Sequence, residues 1–281
     1  MSYTAIRVGA SATIEDVQFS AGDEAIRIQS GFDITISDCL FSACGIVFED
    51  GYQTAIIGNT FSGFFTAITF EGDVDTVQVV ANRFESTSII EGGNNYIGGL
   101  LFADNIGYRG SLNDLAGDYI TILDNRFIGG GEINIVGAGF FVNVQGNTLD
   151  ASINLTGLGD QEDYRAGGQI SNNYLEFGSI VVNDYDLLDI FDNTILFPAA
   201  GAGIVVAGVS EGVTIKGNRI DDPGASSPSA VGVDIQDATV TNAWVVLNRF
   251  GPGLAAAISD SGTNTSTSVS VGSAGDNYDA T

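Results

Sequence analysis

Val77-Gln78-Val79-Val80-Ala81-Asn82-Arg83-Phe84 is the stretch from which the fold of this chain is read. Val77 and Val79 stand five and three residues before Asn82, and Phe84 stands two after it. The same frame returns along the chain. Three residues before an Asn stand Ile56, Phe102, Ile122, Val144, Ile170, Ile190, Ile215 and Val245. Five before stand Leu100, Ile120, Val142, Leu188 and Val213. Apolar residues that recur every second position belong to a strand with one face turned inward. The regular marks are Asn59, Asn82, Asn125, Asn147, Asn173, Asn193, Asn218 and Asn248, with Asp16, Asp38, Asn105 and Asn277 as looser copies. These twelve marks are spaced by 20 to 30 residues. A period in that range is the signature of a solenoid, so this pattern sets the fold without setting the function.

A second strand follows each mark. It reads Ile26/Ile28, Ile46/Phe48, Ile68/Phe70, Ile133/Ile135, Ile153/Leu155, Ile180/Val182, Ile204/Val206 and Val233/Ile235, and turn-forming residues usually come next. The Asn-x-Phe element itself makes a third short strand. Coils of this kind stack strand on equivalent strand, so the inward column becomes one apolar core. Stacked Asn amides can then bond along the axis and satisfy polar groups at a buried bend. We therefore read Asn59, Asn82, Asn125, Asn147, Asn173, Asn193, Asn218 and Asn248 as a structural ladder rather than a ligand site.

On its I-x-I-x-x-N-x-F coil pattern the chain resembles the right-handed parallel β-helix superfamily, over residues 12 to about 278. That superfamily includes pectate-lyase-like enzymes, NosD-like periplasmic repeat proteins and phage tailspikes. The resemblance implies an all-β fold, a right-handed single-stranded parallel β-helix of about twelve coils. With no linker in the repeat, the expectation is one domain over 1–281, with an N-terminal cap at 1–11 and a C-terminal cap or tail at 260–281.

The charge is −26, from 35 acids against 9 bases and no His. Such a surface lacks the Lys and Arg that phosphate contacts need, which excludes nucleic acid, and it repels anionic membranes. The single Lys and the spread of acids over every coil point to a high-salt proteome. No apolar run approaches a membrane span and no signal peptide opens the sequence. Cys39 and Cys44 have no His or further Cys to complete a zinc site, and read first as small buried hydrophobes, with a local disulfide across a short loop as the alternative. No metal or cofactor is expected.

No catalytic signature emerges. The clusters Asp184/Asp186/Asp189/Asp192, Asp160/Glu162/Asp163 and Arg219/Asp221/Asp222 read as solvated surface, so no catalytic residue is assigned. Four segments depart from the regular coil: 92–99, 106–118, 156–168 and 221–229. They read as loops gathered into a binding face, where Tyr96, Tyr108, Tyr164 and Arg165 are candidate carbohydrate contacts. Two residues before the Asn, where a side chain should face outward, stand Ile57, Val80, Ala103, Leu123, Phe191 and Val246, broken by Gln145, Ser171 and Lys216. This apolar stripe is a candidate interface for a homotrimer. The expectation is a non-enzymatic virion protein at the particle surface, from a virus of a halophilic host. It would be a capsid decoration, turret or tail-spike component that meets other virion proteins and host-surface glycans. A pectate-lyase-like polysaccharide lyase or hydrolase is the first alternative. An archaeal cell-surface repeat protein is the second.

Overall fold

The computed structural model describes residues 4–20, 22, 24–63, 65–85, 88–93, 95–157, 167–198, 201–223, 230–251, 253–267 and 278–279, with backbone alone at 138, 278 and 279. Every regular element among them is a strand. The fold is an all-β parallel solenoid of about eleven turns, close to the twelve marks read from the sequence. Two compact units divide the chain, 1–138 and 139–281.

In the first unit each turn contributes two longer strands and one short one, as in Gly45–Phe48, Gly51–Ile57 and Thr60–Ser62. Each pairs in parallel with its equivalent in the next turn, so like residues stack. Ile46, Ile68 and Ile90 form one inward column, and Ile56, Val79, Phe102 and Ile122 form another. All seven are fully buried. The second unit repeats the plan with Ile153, Ile180, Ile204 and Val233, and with Val144, Ile170, Ile190, Ile215 and Val245. Burying each such side chain stabilises the fold by ~1.5–3 kcal/mol before chain entropy is counted.

The turn into each short strand is made by one residue in the left-handed region. Gly58, Ala81, Asp104 and Asp124 take this role in the first unit, and Gly146, Asn172, Asp192, Gly217 and Leu247 in the second. Gly, Asn and Asp tolerate that conformation best, which explains most of this list. The following Asn then lies buried. Its Oδ1 accepts the backbone N–H of the residue one turn earlier. The distances are 2.9 Å for Cys39 to Asn59, 2.8 Å for Asn59 to Asn82 and for Asn82 to Asn105, and 2.9 Å for Asn105 to Asn125. In the second unit Asn147, Asn173, Asn193, Asn218 and Asn248 are joined the same way at 2.9–3.0 Å.

Two of the looser copies are corrected by this register. Leu40 pairs with Thr60 and Gln18 with Leu40, so the ladder position is Cys39 in one turn and Val17 in the turn before. Asp38 and Asp16 occupy the left-handed position instead, with φ of 54° and 57°. The mark at Asn277 lies outside the described residues.

In the first unit Phe rings fill most of the short-strand column. Phe19, Phe41, Phe61 and Phe84 stack with centroids 4.5–5.0 Å apart. Gly107 interrupts the column, and Phe102 enters the gap, 6.0 Å from Phe84 and 6.1 Å from Phe127. A Cβ on Gly107 would stand 2.7 Å from Ile89, so the site is already full.

The segments read as loops at 92–99 and 106–118 are largely strand. Tyr96–Ala103, Ile106–Tyr108 and Ser111–Leu123 run through them, because each is paired to neighbouring turns. Backbone pairing on two sides outweighs the turn preference of their Gly, Asn and Asp residues. Residues 158–166 and 224–229, the centres of the other two segments, lie outside the described residues.

Candidate functional site

The sheet of the first unit carries a cleft of about 630 Å3 lined by Tyr52, Asp73, Asp75, Thr76, Tyr96, Gly98, Gly99, Asp118 and Tyr119. Register builds it. Tyr52 pairs with Asp75, and Gly99 pairs with Tyr119. The strand Tyr96–Ala103 therefore places Gly98 and Gly99 as a bare floor between Asp75 and Thr76 on one side and Asp118 and Tyr119 on the other. The two walls are two strand spacings apart, ~9.6 Å at the backbone. The Asp75 carboxylate leans over the floor, since a Cβ on Gly98 would meet its Oδ1 at 2.6 Å. Thr76 holds φ of 54°, which a β-branched residue rarely adopts. Its hydroxyl donates to Asp75 at 3.1 Å.

Three aromatic rings stand around this floor, with Tyr52 51%, Tyr96 47% and Tyr119 59% exposed. Half-exposed rings of this kind present aromatic surface on which a ligand can stack. Tyr96 is held at both ends. Its backbone N–H donates to Asp73 Oδ1 at 2.9 Å, and its hydroxyl donates to Asp118. The bond to Asp118, and after it burial, pushes the Tyr96 phenol up to about 12. The phenol thus keeps its proton across the physiological range and keeps the ring in place. Among the described residues no group of acids is arranged to hold a metal ion.

Of the candidate carbohydrate contacts among the described residues, Tyr96 reaches this cleft and Tyr108 does not. Tyr108 belongs to the short-strand sheet, where it lies half-buried with the Arg83 guanidinium 4.9 Å from its ring centre. Tyr164 and Arg165 lie outside the described residues. Tyr52 and Tyr119 were missed in the sequence reading because they sit in strands that otherwise obey the repeat. A signal was present. Phe32, Tyr52 and Asp75 share one outward row across successive turns. The exposed Trp244 in the second unit was missed for the same reason, beside Thr214 in register.

The stripe residues are placed unit by unit. Ile57, Val80, Ala103 and Leu123 stack in one row, in which Ile57 is exposed, Val80 and Leu123 are half-buried and Ala103 is buried. In the second unit Phe191 and Val246 are half-buried, with the exposed Lys216 between them. Ser171, in the same row, is fully buried.

The acid cluster around Asp184 has structural work. Asp184 accepts the Val209 N–H and Asp186 the Glu211 N–H, both at 2.7 Å, so each caps the bend of the following turn. Asp221, read as surface, is buried and bound to Arg219. Cys39 and Cys44 are free and buried, and burial pushes both thiols up.

No protein-family model matches the chain, and comparison with curated proteins finds no similar sequence.

Proposed function

We propose that this chain is a non-enzymatic β-solenoid that binds saccharide through the Tyr52–Tyr96–Tyr119 cleft. The observation that carries the reading is the set of three half-exposed tyrosines around a glycine floor. Sugar rings stack on such faces, and the surrounding carboxylates accept hydroxyl hydrogens. The setting we propose is the surface of a virus particle from a high-salt host, as a decoration, turret or tail-spike component. The uniform solenoid and the acid-rich surface support that setting. In it, the relation to pectate-lyase-like proteins and tailspikes is one of architecture.

The test is isothermal titration with a panel of neutral, acidic and amino oligosaccharides, on wild type and on Tyr52→Ala and Tyr119→Ala. Binding that both substitutions weaken is expected. No binding across the panel, or binding indifferent to both, would sink the reading. A second reading, a lyase or glycoside hydrolase, draws on Asp75 and Asp118 on opposite sides of the floor. Their backbones lie two strand spacings apart, ~9.6 Å, and inverting hydrolases hold two carboxyl groups on either side of the scissile bond with water between. Release of new reducing or unsaturated ends from the same panel would favour it.

A further inference from the structure

We infer that the ligand of this cleft is a cationic saccharide, one whose sugar units carry free protonated amines as glucosamine does. This rests on the saccharide reading above. The cleft is a concave site with three aromatic faces, and its charged groups are all of one sign. Asp73, Asp75 and Asp118 line it, and no Lys or Arg does. Ionised carboxylates accept hydrogen bonds and donate none. The Tyr96 hydroxyl already spends its one hydrogen on Asp118, and the Tyr96 N–H and Thr76 hydroxyl spend theirs on Asp73 and Asp75. The Tyr52 and Tyr119 hydroxyls can each give or take a hydrogen bond, so the groups fixed as acceptors are the three carboxylates, and a complementary ligand offers donors and positive charge to them.

An ammonium group does so, with three donors, no acceptor and a positive charge. Ring faces favour the same charge, because a cation within about 6 Å of a tyrosine ring is attracted by its quadrupole. A uronic acid brings a second negative charge to a site lined by three carboxylates and no Lys or Arg. An N-acetylated sugar replaces three donors and a positive charge by one N–H and a carbonyl that needs a donor in return. The pyranose body stacks on the rings while the amine meets Asp75 or Asp118 across the floor.

The experiment uses the full chain in potassium chloride sufficient to hold wild type folded, at mildly acidic pH where sugar amines are protonated. Titration calorimetry compares an oligoglucosamine, its fully N-acetylated form, a cello-oligosaccharide, an oligogalacturonate and spermine. We expect the oligoglucosamine to bind roughly tenfold or more tighter than the N-acetylated form. Asp118→Asn and Asp75→Asn should each weaken it roughly tenfold, since the shape is kept and the charge lost. Glu15→Gln, the same charge change at a remote exposed acid, should leave it unaltered. Melting curves of all three variants confirm folding.

Equal affinity for the two glucosamine forms, or preference for the galacturonate, overturns the charge inference and leaves the saccharide reading standing. Equal weakening by Glu15→Gln overturns it too, as attraction to diffuse surface charge. Spermine binding as tightly as the oligoglucosamine overturns the saccharide part. An absence of binding throughout overturns both.

Discussion

Asn82 shows what one residue of the ladder does. Its Oδ1 accepts from the N–H and the amide of Asn59, at 2.8 and 3.0 Å. Its own amide donates to Ile56, Val80 and Asn105 at 2.8–3.1 Å. Asn82→Leu leaves several buried backbone groups without partners, so it should destabilise by ~1–3 kcal/mol in denaturant unfolding. An unchanged midpoint would mean that water replaces those bonds. Cys39 is the informative departure. Its Sγ lies 3.2 Å from Ser37 O and 3.6 Å from Ile14 O, the register equivalents of the carbonyls that the Asn59 amide binds. The Val17 backbone hydrogen-bonds to the sulfur, an effect smaller than the burial that pushes the thiol up. The thiol thus imitates an Asn with weaker bonds at each contact. Cys39→Asn should extend the ladder by one turn and stabilise by ~0.5–1.5 kcal/mol. A loss of stability would show that the bend has closed around sulfur. This offset was legible in the sequence. Phe19 and Phe41 stand three residues after Asp16 and Asp38, whereas Phe61 and Phe84 stand two after their Asn. Asp in the left-handed position imitated the mark one residue early.

At the scale of strands, the alternation around each Asn carried the core columns correctly because stacking makes every copy vote for the same register. The strands through 106–118 were hidden because Gly, Asn and Asp there signal turns locally, and only pairing to the turns on either side overrides that signal. The cleft was hidden for a related reason. Tyr52, Tyr96 and Tyr119 are brought together by register across turns, and no local pattern connects them. One cross-turn cluster can be tested directly. Arg27 binds Glu24, Glu49 and Glu71 from three successive turns, at 2.6 and 2.7 Å for the last two. Thr4 also donates to Glu24 at 2.7 Å. The Arg27 hydrogen bond, more than any other influence, holds the Glu24 carboxyl down at about 2. Its folded value lies below the unfolded value of ~4.3, so the stabilisation is fully present above the unfolded value. It is lost as pH falls through ~4 toward ~2. Wild type should therefore lose stability more steeply over that window than Arg27→Met, which is less stable at neutral pH. Parallel pH profiles for the two would show that the clamp contributes nothing.

Over the whole molecule, 35 acids face 9 bases. The ion pairs among the described residues engage three arginines, Arg27, Arg83 and Arg219, and three of the five pairs meet at Arg27. Most of the −26 charge is thus answered only by solvent ions. At ~0.01 M salt the Debye length is about 30 Å, so carboxylates repel one another across several turns. At ~1 M it is about 3 Å and that repulsion is confined to neighbours. The melting temperature should rise steeply between those limits in potassium chloride. A flat curve would contradict a high-salt origin. A response to micromolar calcium alone would place the effect in specific ion sites. The same repulsion governs the proposed trimer. Burying the row of Ile57, Val80 and Leu123, with Phe191 and Val246 in the other unit, yields about 25 cal/mol for each Å2 of apolar surface. Three chains of −26 must first be brought together, so association should appear only once salt has screened them. Light scattering at molar salt should give the mass of three chains for wild type and of one for Leu123→Asp/Phe191→Asp. The charged pair keeps the core columns intact, because both residues are only half-buried and point away from it. A monomeric wild type would remove the trimer, and a trimer that tolerates both charges would move its interface to another face.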